Sequence, residues 1–210
     1  MKKFTLFLII LAAGFVSCSD DNTSYPSLIS EMAMAYADGK GHLARIVTDS
    51  GRDCRVSNEM TGMDANESVR ALISYVPEDN GMAKVYSAQA VPVLSNVTDE
   101  KTVAQDPTGI ESAWMGGGFI NFHLLPKTQG KKQRWAFQCD STRINVLGGE
   151  THHLSLYHQQ QDDPVSYSYH LYVCVALDSV GTTLTAADSI TFVVHTFDGP
   201  KTWHFGSLVP

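Results

Sequence analysis

Apolar and polar residues alternate with a period of two along most of the chain, and this pattern predicts an all-β protein. Between residues 28 and 94, five short alternating segments are separated by turns rich in aspartate, asparagine and glycine. These residue types supply positive φ angles or local side-chain turn bonds. Five short strands in a segment of this length predict a small β-barrel.

A second set of alternating segments fills residues 108–210. Six or seven strands spaced roughly ten residues apart are typical of an antiparallel β-sandwich. Residues 95–107 between the two sets are mostly polar and end at a proline. The sequence therefore predicts a barrel, a linker and a sandwich, in that order.

The chain begins with two lysines and an apolar run over residues 4–16, and small Ser17 and then Cys18 follow. This order is typical of a secretory signal peptide, predicted here as residues 1–17. The apolar run is too short for a membrane-spanning helix, which needs about 20 residues. Because a cysteine stands at the junction, the segment resembles a bacterial lipobox, which implies that acyl chains on Cys18 attach the protein to a membrane. The polar residues 18–27 then form a tether.

Removal of the signal takes away Lys2 and Lys3 and changes the formal charge from -7 to -9. An acidic chain is a poor partner for nucleic acid, which selects for clusters of lysine and arginine. Hydrophobic residues make up 43% of the chain, which is enough for a packed core.

Three cysteines remain after Cys18, namely Cys54, Cys139 and Cys174. Strand alternation places Cys139 on the apolar face of its segment and Cys174 on the opposite side of its own. A disulfide requires Cβ atoms within about 4.5 Å. We therefore expect buried free thiols and no disulfide partner.

The second block contains seven of the eight histidines. His152 and His153 are adjacent in a predicted strand, so they face opposite sides and cannot both bind one ion. The chain lacks the HExxH, Cys-x-x-Cys and G-x-S-x-G motifs. We therefore expect no catalytic residues, no metal and no cofactor. A metal-dependent hydrolase that uses His123, His158 and His170 is the alternative.

Aromatic residues are candidates for ligand contact. Met32, Met34 and Tyr36 alternate along the first segment, and Tyr75 lies on the fourth. Barrels of this size can use aromatic faces to bind oligosaccharides. Trp114 stands next to three glycines and is a further candidate. Filling of the core is the simpler interpretation for all of these side chains.

The stretch 110–122 contains Trp114, three consecutive glycines, Phe119 and Asn121. With the lipobox and the segments 154–158, 169–177 and 197–203, it resembles the NigD-like lipoproteins of Bacteroidota. The resemblance covers nearly the whole chain and implies an OB-like N-terminal barrel at residues 28–94 and a C-terminal β-sandwich at residues 108–210. The family supplies no catalytic residues to carry over.

Ser19, Asp20 and Asp21 resemble the acidic signal that directs lipoproteins of this phylum to the cell exterior, which implies an outer-membrane lipoprotein exposed at the surface. Ser141, Ser179 and Ser189 each follow an aspartate and resemble O-glycosylation acceptors of exported proteins in the same phylum. Their expected places are strand ends and loops.

Together these features predict a non-catalytic envelope lipoprotein that binds a protein or glycan partner. A structural subunit of a larger surface complex is a further alternative.

Overall fold

The computed structural model describes residues 27–97, 104–181 and 184–206. Five strands form a closed barrel in the order β1-β2-β3-β5-β4. Strands β3 and β5 run parallel, whereas β1 pairs antiparallel with both β2 and β4. This is the OB topology, so the predicted all-β fold with an OB-like barrel is confirmed. The strands are β1 Ile29–Ala37, β2 Leu43–Thr48, β3 Asp53–Val56, β4 Ser68–Glu78 and β5 Met82–Ala90.

The barrel core combines small residues of β1 with aliphatic side chains and one buried tyrosine. Ala33 and Ala35 of β1 point inward and are fully buried, as is Tyr75 of β4. The Tyr75 hydroxyl donates a hydrogen bond of 2.6 Å to Glu31 and accepts one of 3.1 Å from Arg52. The polar end of this buried ring is therefore satisfied, as burial of a tyrosine requires.

The second domain has two main sheets. Strands β14-β13-β10-β9 form one sheet and β12-β7-β6 form the other, with a small β11-β8 ribbon beside them. One pair, β10 with β13, is parallel, and the remaining strand pairs of this domain are antiparallel. The strands are β6 Gly109–Gly116, β7 Phe119–Leu125, β8 Lys127–Thr128, β9 Arg134–Ile144, β10 Glu150–Gln159, β11 Tyr167–Ser168, β12 Leu171–Ala176, β13 Ser189–Thr196 and β14 Gly199–Gly206.

The two sheets pack face to face around one apolar core. Phe122 of β7 contacts Phe192 of β13 across the layer, with ring centroids 4.6 Å apart. Leu94, from the connection between the domains, is buried in the same core. Val93, Asn96 and Gln105 form isolated bridges to sandwich residues, so the described parts of this connection, up to residue 97 and from residue 104, lie against the sandwich.

The outer face of the sheet β12-β7-β6 packs against the barrel. Met32, Val91 and Cys174 are buried there, and Trp114 and Tyr172 pack around them. Burial raises the pKa of the Cys174 thiol to about 11. Cys54 belongs to the barrel core and Cys139 packs against the sandwich core, so the three thiols lie in different clusters.

Candidate functional site at the domain junction

A buried ion pair of the barrel is hydrogen-bonded to the sandwich at the junction of the two domains. Arg70 of β4 donates two hydrogen bonds of 2.7 and 2.6 Å to the carboxylate of Asp49, in the turn after β2. The same guanidinium donates to the side-chain oxygen of Asn121 on β7 at 2.9 Å. The Arg70 side chain is only 1% exposed. Such a bidentate pair fixes the direction of both side chains. Asn121 accepts a hydrogen bond from Arg70 and donates one of 3.3 Å to Asp49, so it connects this barrel pair to the sandwich.

The glycines of the stretch 110–122 make room for this pair. A Cβ atom on Gly117 would collide with the Asp49 carboxylate, and one on Gly116 would come within 2.7 Å of it. Gly117 and Gly118 both have positive φ, as the tight turn between β6 and β7 requires. The Phe119 ring lies under the Arg70 guanidinium, 4.4 Å from it. The most specific part of the sequence resemblance is therefore the contact between the domains.

A groove of about 540 Å³ lies beside this contact and is lined by both domains. Met32 and Leu72 come from the barrel, whereas Trp114 and Tyr172 come from the sandwich. Glu31 lies at its edge. Burial alone would raise the pKa of Glu31, but hydrogen bonds from Tyr75 and Ser50, with the charge of Arg52, hold that pKa below its ordinary value. The groove is thus mainly apolar, and its two carboxylates, Glu31 and Asp49, are paired with Arg52 and Arg70.

A cluster of two histidines and one glutamate lies on the same outer face of the sheet. His123 Nε2 is 2.8 Å from His170 Nδ1, and His123 Nδ1 is 2.9 Å from the Glu111 carboxylate. The ring of His123 stacks on Tyr172 with centroids 4.2 Å apart. Because Tyr172 also lines the groove, the cluster and the groove are neighbours. The sequence identified both histidines as candidates but missed Glu111.

His158 does not join this cluster. Its ring stacks on Trp135 at 3.8 Å, and its nitrogens lie 2.8 Å from the Asp106 carbonyl oxygen and 3.0 Å from Gln133 Oε1. Burial lowers the pKa of His158. The three histidines of the hydrolase alternative therefore do not converge, because His158 is a buried part of the sandwich.

The other ligand candidates have different surroundings. Tyr75 is fully buried, so its ring fills the barrel core and is closed to a ligand. Tyr36 is half-buried, with the Arg45 guanidinium 5.1 Å from its ring centroid. Trp114 lines the groove and is the only one of the three that does so.

The three candidate acceptor serines also differ. Ser141 lies inside β9, where it pairs with His153, and not at the strand end that its sequence context predicted. Ser189 is half-buried and shares a hydrogen bond of 2.7 Å with Thr151. Ser179 is exposed in the short 3-10 turn Leu177–Ser179 and donates to the Ala176 carbonyl oxygen. Glycosylation of Ser179 thus stays a prediction, and the side chain is exposed, as that modification requires. Cys18, Ser19, Asp20 and Asp21 lie outside the described residues.

The geometry defines a class of protein: an OB-like barrel whose buried ion pair packs against the glycine turn of a β-sandwich and is hydrogen-bonded to Asn121. The model of the NigD-like C-terminal β-sandwich domain matches residues 89–206, which is more than half of the chain. The chain belongs to the NigD-like family.

Solved structures share this fold over most of the chain. A NigD-like immunity protein from Bacteroides caccae is 24% identical, with a TM-score of 0.65 over 86% of this chain and 92% of the other. A protein from Parabacteroides distasonis, described as toxin-related, is 17% identical, with a TM-score of 0.67 over 85% and 92%. A candidate lipoprotein from Bacteroides fragilis is 10% identical, with a TM-score of 0.61 over 87% and 98%.

No curated protein matches the sequence. Within the described ranges, none of the helices has the length and apolar character needed to cross a bilayer.

Proposed function

We propose that this protein is a non-catalytic lipoprotein of the outer membrane, anchored through Cys18 and exposed at the cell surface, that binds a partner protein in the junction groove. The observation that carries the proposal is the groove itself. It is bounded by two domains that meet through the hydrogen bonds of Asn121 with Arg70 and Asp49 and through a buried apolar cluster, so it exists before a partner arrives. A preformed apolar groove with few polar groups is typical of a binding site.

The chemistry of the groove favours a protein segment over a glycan. Trp114 lies beside Met32 and Leu72, which suit an apolar side chain. A sugar needs free polar groups around its ring, but Glu31 already accepts hydrogen bonds from Tyr75, Arg52 and Ser50. The carboxylate of Asp49 is likewise engaged by Arg70. The apolar side chains thus remain as the main source of binding energy.

The family fits this interpretation. One solved structure with this fold is described as an immunity protein and another as toxin-related. Both descriptions suit an accessory role. The candidate lipoprotein among these structures agrees with anchoring through Cys18.

The test is recovery of the partner from native membranes with a chain whose groove is blocked. Ser30 is exposed and lines the groove, so Ser30→Arg fills it without removing a buried contact. Ser87 is also exposed on the barrel but is not among the groove residues, so Ser87→Arg is the matched control. We expect the partner that co-purifies with the native chain to be lost with Ser30→Arg and kept with Ser87→Arg.

Equal recovery with both variants would show that the partner does not use the groove. The tip of the β9–β10 hairpin then becomes the other surface to test, because Ile144, Val146 and Leu147 are 84%, 102% and 75% exposed there. Loss of the partner with Val146→Asp alone would place binding at that tip and would overturn the groove proposal.

A further inference from the structure

We infer that Glu111, His123 and His170 form a binding site for one divalent transition-metal ion, and that Zn²⁺ is the ion that suits it best. The three residues place potential ligand atoms within 4.8 Å of one another. The two imidazoles supply nitrogen ligands of the kind that zinc commonly uses, and the carboxylate supports one of them from its other nitrogen. The proposal is independent of partner binding in the groove.

Strand pairing brings the cluster together from distant parts of the sequence. His123 on β7 lies opposite Tyr172 of β12 on one side and opposite Ser112 of β6 on the other. His170 immediately precedes β12, so it lies next to His123 across the sheet. The central strand thus presents His123 between its two neighbours.

A β-bulge aims the glutamate at this position. The register of β6 against β7 shifts between Ile110 and Ser112, so Glu111 is the extra residue. In a bulge, two residues of one strand oppose a single residue of the other, and bulges often redirect a side chain next to a site. Here Glu111 and Ser112 both oppose His123, and the Glu111 carboxylate reaches the His123 ring.

The hydrogen bond to Glu111 determines which nitrogen of His123 can bind an ion. A carboxylate only accepts hydrogen bonds, so His123 Nδ1 carries the proton that Glu111 accepts. The lone pair on Nε2 then points toward His170 Nδ1, 2.8 Å away. A carboxylate that holds the second nitrogen of a ligating histidine is a recurring support of zinc sites. Stacking on Tyr172 keeps the His123 ring in this orientation.

An ion fits with a small movement. Two ligand nitrogens of a tetrahedral zinc ion lie about 3.3 Å apart, given bonds of about 2.0–2.1 Å. The two histidine nitrogens must therefore separate by only a few tenths of an ångström. His170 is exposed, so its ring can shift and transfer its proton from Nδ1 to Nε2. The same exposure of His170 leaves the remaining coordination positions open to water.

The test uses Zn²⁺ alone with the full mature chain purified in detergent. Calorimetric titration should show saturable binding of one ion per chain, and Co²⁺ should give the visible absorption of a tetrahedral site. His123→Ala and His170→Ala should each abolish this binding. Glu111→Gln should weaken it roughly 10–100-fold, as loss of a supporting carboxylate does.

His204→Ala is the matched control, because His204 is also exposed and lies on β14. This variant should bind Zn²⁺ like the native chain. Thermal unfolding of the metal-free variants checks that His170→Ala, at an exposed position, leaves the fold intact. Absence of saturable binding, or unchanged binding after His170→Ala, would overturn the site. Either result leaves partner recovery unaffected, so it is distinguishable from failure of the groove proposal.

Discussion

At the scale of single residues, Arg70 connects more parts of the molecule than its place on a barrel strand suggests. It contacts Asp49 in the barrel, and Asn121 and Phe119 in the sandwich. Its charge is withdrawn from water, so its partners must compensate for that loss. Removal of the arginine leaves the Asp49 carboxylate partly buried without a counter-charge.

Arg70→Met should therefore destabilise the protein by about 3–5 kcal/mol, the usual cost of breaking a buried ion pair. Arg45→Met is the matched control, because Arg45 also makes a bidentate pair, with Asp53, but at an exposed position. That control should change stability little, since exposed pairs are screened by solvent. Urea unfolding of both variants measures the difference. An equal loss of unfolding free energy in the two variants would show that the pair of Arg70 and Asp49 stabilises the protein no more than an exposed pair does.

The sequence could predict only some of the residues that form the histidine cluster and the barrel core. His123 and His170 were identifiable as candidates, but they are 47 positions apart and meet only through the pairing of β7 with β12. Glu111 was missed because a bulge, which alternation does not encode, turns it toward them. Tyr75 was a candidate for ligand contact, whereas its ring fills the barrel.

At the scale of elements, the strands of the barrel and the turns between them followed directly from the sequence. Aspartate, asparagine and glycine mark the turns, and Gly41, Gly51, Asn80 and Gly81 do adopt positive φ. The sequence did not predict which face of β1 points into the barrel. Met32, Met34 and Tyr36 form its more apolar face, yet the barrel interior takes Ala33 and Ala35. The small side chains leave room for Tyr75, and Met32 is buried instead against the sandwich.

The turn between β6 and β7 allows a direct test of its role in the junction. Gly117→Ala should destabilise the protein clearly more than Gly118→Ala. Both positions have positive φ, which costs a residue with a side chain roughly 1–2 kcal/mol. Only at Gly117 would the new methyl group also collide with Asp49, since nothing lies within 4 Å of a Cβ atom at Gly118. Thermal unfolding compares the two variants, and equal midpoints would show that Asp49 can move aside at no cost.

At the scale of the whole molecule, the two domains meet through a buried apolar cluster around Met32 and Cys174 and through the hydrogen bonds of Asn121 with Arg70 and Asp49. The sequence suggested both domains through strand spacing and family resemblance. It did not suggest that the Trp-Met-Gly-Gly-Gly-Phe stretch packs against the barrel, since Asp49 and Arg70 lie in the other domain. Residues of both domains line the groove, so neither half of the sequence alone could predict it.

The most direct measurement of the central claim is site-specific photo-crosslinking in living cells. A photoreactive side chain replaces Ser30 in the groove, and in a parallel strain it replaces exposed Ser87. A partner held in the junction groove should give one specific protein adduct from position 30 and none from position 87. The adduct should also disappear in a Cys18→Ala background, because the protein then leaves the membrane. The same adduct from both positions, or an adduct that persists without Cys18, would contradict the account of an anchored protein that holds its partner in the junction groove.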